Sequence, residues 1–381
     1  MRQVGIITFH RTNNYGAALQ SYALQRMLNK EYNAEILDYR SPYLESLYLG
    51  NNMGIKNKIR ALARKFIYPV EIIQLDKRKK RFTYFYQQFH KLSSKKYDIS
   101  NIDSANASYD FFIAGSDQVW NPHLSRGDWN YFLEFAPACK RYSYAASISN
   151  KNTDDENKRI RNDLNQFQSV LVREKTSVDF LKSIGLENSV FAVCDPVFLL
   201  STNEWKNILS VSEAVKTKKY VLLYTVANVS HSESVARKIA KEKGLTIISI
   251  SSNQSVKTVK GLKNVLDAGP IEFLDYIRNA DCVVTSSFHA MAFSIMFNVP
   301  FYFELCKDGS NNNERLENIA KVFKLKNREI INEELITDIG NIDWKSVNQA
   351  LSNYRKESIN ILFNSLKRHG GDDSEQILEK D

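Results

Sequence analysis

The sequence predicts an α/β protein built from two Rossmann-like, doubly wound domains facing one another across a cleft. Two observations carry this. Short β-rich runs alternate with helical patterns along most of the chain, and they do so in two successive series, one opening at Val4 and the next at Tyr220. The chain has 381 residues, of which 43% are apolar and 25% charged, too long for one small core and too apolar for a disordered chain.

In the first series, Val4 to Phe9 is a β-rich run and Arg11 to Gly16 is turn-forming. Ala17 to Leu28 sets Leu19, Tyr22, Ala23, Leu24, Met27 and Leu28 mostly on one helical stripe, and Ala34 to Tyr39 resumes β character, closing a βαβ unit. Tyr109 to Ala114 reads as a buried strand ending at Gly115-Ser116-Asp117. Strand patterns follow at Tyr142 to Ala146, Ser169 to Val172 and Val190 to Val193, with helical patterns at 154–167 and 174–184. The second series holds Tyr220 to Thr225, a helix at 231–243, Leu245 to Ile250, a helix at 271–279, Cys282 to Thr285, a helix from about 288 and a strand near Phe301. The expected domains are 1–205 and 206–343, with the link inside 200–219. An amphipathic helix over 344–368 is expected to pack back across both, leaving 369–381 as a frayed polar tail.

The formal net charge of +9 is local rather than general. Residues 54–96 hold thirteen Lys or Arg against two acids, so the rest of the chain is close to neutral. Within 72–90, Ile72, Leu75, Phe82, Phe85 and Phe89 share a helical stripe while Lys77, Arg78, Lys79, Lys80 and Arg81 fill much of the remainder. This reads as a basic amphipathic helix inserted in the first domain. Its plainer reading is a solvated helix whose apolar stripe packs on its own domain; otherwise the cationic face is suited to anionic lipid or to a diphosphate. A nucleic-acid-binding module is the competing reading of the charge, opposed by the confinement of the cations to one segment and by the lack of a recognised motif.

Cys139, Cys194, Cys282 and Cys306 form no CxxC pair and no Cys/His cluster, which points to buried thiols in a reducing compartment, with no metal site. With only a six-residue apolar run near the N-terminus and no stretch fit to span a bilayer, the expected location is cytoplasmic, with contact at the inner membrane face an open option.

Four segments at strand ends can carry chemistry, because a strand end holds the next side chain rigidly at a cleft. Asn14, Tyr15 and Gly16 open the first helix, where free N–H groups favour an anion; an ordinary Asn cap is the plainer reading. Gly115, Ser116 and Asp117 present a carboxylate that can take a proton from a sugar hydroxyl, or simply cap a turn. Val172 runs into Arg173, suited to a planar carboxylate or phosphate, unless Arg173 and Glu174 merely pair at the surface. Asp195 before Pro196 reads as a turn-former. Finally, Ser286, Ser287 and His289 follow a β-branched strand at a helix start, the setting of a proton carrier near neutral pH.

Taken together, Asn13-Asn14-Tyr15-Gly16-Ala17-Ala18-Leu19-Gln20, Gly115-Ser116-Asp117-Gln118-Val119-Trp120-Asn121, Val172-Arg173-Glu174 and Thr285-Ser286-Ser287-Phe288-His289 resemble the polysaccharide pyruvyl transferase family over residues 3 to 325. The resemblance implies a GT-B-like fold and transfer of a pyruvyl group from phosphoenolpyruvate to two hydroxyls of a surface-glycan sugar, without a metal or nucleotide cofactor. His289, Asp117 and Arg173 would be catalytic, Asn14, Tyr15, Gly16, Gly115, Ser116, Arg173, Ser286 and Ser287 would bind the donor, and the cations Lys77 to Arg81 would lie on the acceptor side, meeting anionic lipid or a lipid-linked diphosphate. Ser287 and Ala290 stand where family members commonly carry Arg and Gly. A metal-independent glycosyltransferase of the same build, using a nucleotide sugar, is the competing enzyme.

Overall fold

A computed structural model describes residues 1–44, 66–149, 151–209, 219–226, 229–252, 258–307, 311–332 and 341–367. The start of the basic segment (54–65), part of the expected link (210–218) and the tail (369–381) lie outside the described residues.

The N-terminal half holds a parallel sheet of order β3-β2-β1-β4-β6, where β1 is Gln3–Ile7, β2 Asn33–Tyr39, β3 Leu92–Tyr97, β4 Phe111–Ala114 and β6 Arg141–Ser143. Strands β5 (Asp117–Trp120), β7 (Ala146–Ile148), β8 (Val170–Val172) and β9 (Val190–Ala192) form a second parallel sheet. The two sheets are joined by two strand breaks, β4 into β5 and β6 into β7. Val4, Ile6, Ile7, Phe112 and Ile113 are fully buried, as central strands of a parallel sheet covered on both faces must be.

The break has a local cause. Gly115 has φ +121°, and a Cβ there would lie 2.2 Å from the Tyr144 carbonyl oxygen, so only glycine lets the two bends pack. Ser116 is held inside the bend, donating to the Ala145 carbonyl at 2.9 Å while its N–H donates to Gln20. Asp117, with φ +77°, opens β5. A continuous strand over 142–146 is therefore replaced by two short ones, each pairing with a different part of the neighbouring chain.

The C-terminal half is one parallel sheet of order β12-β11-β10-β13-β14, with β10 at Tyr220–Tyr224, β11 at Thr246–Ile250, β12 at Lys263–Val265, β13 at Cys282–Thr285 and β14 at Phe301–Phe303. Helix α1 (Tyr15–Leu28) starts on an Asn14 cap, its side-chain oxygen accepting from the Ala17 N–H at 3.1 Å. Helix α2 is Pro69–Phe89, α3 Asp154–Leu164, α4 Lys175–Ser183, α5 Thr202–Leu209, α6 Ser232–Lys243, α7 Pro270–Arg278, α8 Phe288–Phe297, α9 Asn311–Val322 and α10 Trp344–Lys367. Helix α10 touches both halves: Tyr32 stacks on Phe363, Ser358 accepts from the Cys194 N–H, and Tyr354 meets Phe323. Among the described residues no helix is long and apolar enough to cross a membrane.

The basic patch over Lys77–Arg81 is not one free cationic face. Arg78 is buried, donating to the Ser251 carbonyl at 2.8 Å and to the Asn13 carbonyl at 3.2 Å, and lies over the Tyr15 ring. Lys77 pairs with Asp267 at 2.9 Å, and Arg81 pairs with both Asp267 and Glu272. A Cβ on Gly269 would sit 2.5 Å from the Arg81 Cβ, so α2 and the α7 start approach at backbone distance. Three of the five cations thus fasten α2 to the C-terminal half, and the spacing that marked a membrane-facing helix marks a clamp between halves. Cys139 is likewise exposed, whereas the other three thiols are buried as their sequence setting suggests.

At the C-terminal end of α2, burial depresses the His90 imidazole from its ordinary value to about 3, while its Nε2 meets the Ser21 hydroxyl at 2.9 Å. The folded state therefore holds His90 neutral where the unfolded chain protonates near pH 6.5. Above that pH the group contributes nothing to pH dependence; below it, down to about pH 3, stability falls because the unfolded chain binds the extra proton. From pH 7 to 5 the loss is about 2 kcal/mol. Urea midpoints at the two pH values check this, and His90→Gln should flatten the dependence.

Candidate active site

Four strand-end segments meet at one buried cluster. Arg173, next after β8, is 2% exposed and is gripped by carboxylates: Nε donates to Glu174 at 2.8 Å and Nη1 to Asp195 at 2.7 Å. Its Nη2 is buried without a hydrogen bond, 4.0 Å from Asp117 Oδ1. Burial opposes the Arg173 charge, yet Glu174, Asp195 and Asp117 together hold it protonated more firmly than usual. The same guanidinium lies 5.2 Å over the Phe288 ring.

His289 comes from the other half, in the first turn of α8, which Ser287 caps through the Ala290 N–H. Its Nε2 is buried without a hydrogen bond and lies 3.7 Å from Asp195 Oδ2, an ion-pair distance when the ring is protonated. Burial would raise the Asp195 carboxyl, but the adjacent His289 and Arg173 overcome it and hold Asp195 well below the usual carboxylate range. Behind the imidazole stands Gly16: a Cβ there would fall 2.1 Å from His289 Nδ1. The N-termini of α1 and α8 therefore meet at Gly16 and His289, bringing together first-turn N–H groups that have no intrahelical acceptor.

Several residues expected at the donor have other partners. The Tyr15 hydroxyl donates to the Ala268 carbonyl at 2.9 Å, and its ring stacks on Phe273 at 4.3 Å, so it anchors one half to the other. Burial raises that phenol to about 12. Gly115 and Ser116 build the strand break, Asn14 and Ser287 cap helices, and the Ser286 hydroxyl accepts from the Val226 N–H at 3.0 Å. His289, Arg173, Asp117 and Gly16 are brought together. Sequence reasoning missed two members. Asp195 does cap its turn, accepting from the Val197 N–H at 3.0 Å, but its second oxygen joins Arg173 to His289. Arg315, in the first turns of α9, is coupled electrostatically to Arg173, Glu174, Asp117 and Asp195 and has no hydrogen-bond or ion-pair partner among the described residues. Burial and the neighbouring Arg173 charge lower its basicity, the carboxylates opposing them. Thr176 on α4 holds this end of α9 by donating to Glu314 at 3.4 Å.

Gly16, Asp117, Arg173, Asp195 and His289 lie inside the region matched by the family model for polysaccharide pyruvyl transferase, residues 14–304, and Arg315 lies just beyond it. The chain belongs to the polysaccharide pyruvyl transferase family. Comparison with curated proteins finds no match. Among solved structures, a Listeria monocytogenes protein assigned as a UDP-N-acetylglucosamine 2-epimerase aligns at 13% identity over 99% of both chains, with TM-score 0.55. The UDP-GlcNAc 2-epimerase of Methanocaldococcus jannaschii aligns at 12% identity over 97% of this chain and 100% of its own, with TM-score 0.53. A UDP co-structure of MnaA from S. aureus aligns at 12% identity over 97% of each, with TM-score 0.51. At these identities the likeness is one of fold: this member of the polysaccharide pyruvyl transferase family has a GT-B-like α/β architecture.

Proposed function

We propose that the chain transfers a pyruvyl group from phosphoenolpyruvate to two hydroxyls of a sugar in a surface-glycan precursor, forming a cyclic ketal and releasing phosphate. What supports this most is the meeting of His289, Asp195 and Arg173 at two helix N-termini within a chain of this family. Arg315, Arg173 Nη2 and the first-turn N–H groups of α1 and α8 hold the donor's phosphate and carboxylate. Arg315 thereby supplies the second guanidinium that Ser287 lacks.

His289 Nε2 gives its proton to the methylene carbon of the enol while a sugar oxygen bonds to the adjacent carbon. Asp195 stabilises the imidazolium before transfer, and Asp117, partly exposed beside Arg173, orients the hydroxyl and takes its proton. The carbon–oxygen bond to phosphate then breaks, and the second hydroxyl closes the ring with loss of its proton. No cofactor enters these steps.

The test is phosphate release from phosphoenolpyruvate with a panel of galactose, mannose and glucuronic acid acceptors, scored with the mass gain of the acceptor. His289→Asn is expected to lower the rate by about 10²–10⁴-fold with the fold retained, and Arg315→Gln to raise KM for phosphoenolpyruvate by about tenfold, the loss of one charge-assisted contact. Wild-type turnover in His289→Asn removes it from the mechanism. Product from UDP-sugars and none from phosphoenolpyruvate overturns the proposal in favour of glycosyl transfer.

A further inference from the structure

A second recess, distinct from the His289 cluster, lies between the β1–α1 loop and α2. Its volume is about 480 Å³, enough for one or two sugar rings. One wall is aromatic: the Tyr86 ring lines it, backed by Phe82, which is buried against Tyr15. Rings of this kind cover the C–H face of a pyranose. Around them Asn13, Thr83 and Gln87 offer hydrogen-bonding groups suited to hydroxyls.

The charge at this recess is one-sided. Arg11 and Lys79 line it, and among the described residues no lining residue is acidic. Behind the wall, Arg11 pairs with the Asp38 carboxylate at 3.4 Å, which Arg40 and the His10 ring also approach at 3.0 Å and 3.8 Å. Lys79 is exposed and has no acidic partner among the described residues. His10 lines the recess while 3% exposed; its Nδ1 meets the Thr8 carbonyl at 3.1 Å, and its Nε2 has no hydrogen bond.

The recess is also joined to the chemistry. Its wall at Asn13 belongs to the same loop that delivers Gly16 to His289, and that loop is tied to α2: Arg78 donates to the Asn13 carbonyl and the Tyr86 hydroxyl donates to the Thr12 carbonyl at 2.6 Å. We infer that this recess is an acceptor subsite for an anionic sugar residue, one bearing a carboxylate or a phosphate ester. The inference rests on the glycan-modifying reading above. Of the expected acceptor-side patch Lys77–Arg81, only Lys79 serves it.

Binding of methyl β-glucuronide, glucose 1-phosphate and methyl β-glucoside to the full chain, without phosphoenolpyruvate, tests it. At least one anionic sugar is expected to bind tenfold or more tightly than the neutral one, and which of the two does so tells carboxylate from phosphate. Lys79→Gln should cut that preference several-fold, and Arg11→Gln with Lys79→Gln should abolish it. Lys79 is exposed and outside the Asp38 network, so its single variant keeps the test sound if Arg11→Gln unfolds. Equal binding of all three sugars, no binding of any, or a preference that survives Lys79→Gln undiminished overturns the inference. Phosphate release with only neutral acceptors would remove the subsite and leave pyruvyl transfer standing. Anion-selective binding with no phosphate release would do the reverse.

Discussion

Asp195→Ala is expected to lower folding stability by about 3–5 kcal/mol, the cost of leaving a buried charge without its partner. Asp195 is 1% exposed and receives the Nη1 hydrogen bond of Arg173, which is itself buried, and it caps the turn at Val197. Removal leaves Arg173 with Glu174 at 2.8 Å and the more distant Asp117 at 4.0 Å, and leaves His289 with no acid within ion-pair distance among the described residues. Urea denaturation measures the loss, and a double-mutant cycle with Arg173→Gln should show coupling of about 2 kcal/mol or more. Near-zero coupling would mean that the two side chains act independently. The pH dependence has a definite sign. The Asp195 carboxyl is held below its unfolded value, so its stabilisation is complete above about pH 4 and is lost as the medium becomes more acidic. That window opens well below the onset of the one set by His90, so a pH series isolates the His90 contribution above about pH 4, with both acting between about pH 4 and 3.

Gly16→Ala is expected to lower turnover by about 10²-fold or more, because a shift of about 1 Å at a reacting group costs that much. The added Cβ would lie 2.1 Å from Nδ1, 2.3 Å from Cε1 and 2.8 Å from Cγ of His289, so the ring must leave its position. Helix propensity by itself favours alanine at this place by about 1 kcal/mol, so the backbone has no objection to the change. The discriminating background is His289→Ala. With the ring gone the clash is gone, and the double variant should match His289→Ala in turnover and exceed Gly16→Ala in stability. Full activity in Gly16→Ala would show that His289 can act from elsewhere.

The sequence carried the plan of the fold because parallel strands buried on both faces write themselves as short apolar runs, as at Val4 to Phe9 and Cys282 to Thr285. It carried His289, Arg173 and Asp117 for a related reason, since each follows such a run directly. It misread Asp195, whose position before Pro196 is a full explanation as a turn until the fold shows what its second oxygen meets. Arg315 offered no local signal at all, being one cation on a polar helical stretch. Tyr15 was legible as important but its partners were not: Phe273 and Ala268 are more than 250 residues away.

The sequence by itself determined the two α/β series, the helix start at Asn14, the strand ends and the confinement of the cations to one segment, all properties of neighbours along the chain. Tertiary structure alone decided what those cations do and which carboxylates join the site. Lys77, Arg78 and Arg81 look like a free basic face until Asp267, Glu272 on α7 and the Ser251 carbonyl supply their partners, and His289 is one histidine among six until Gly16 and Asp195 close around it. The physical reason is the same in each case. A charge or a glycine is defined by what lies within a few ångströms of it, and in a sheet whose strands are joined by long crossovers those neighbours come from distant parts of the chain.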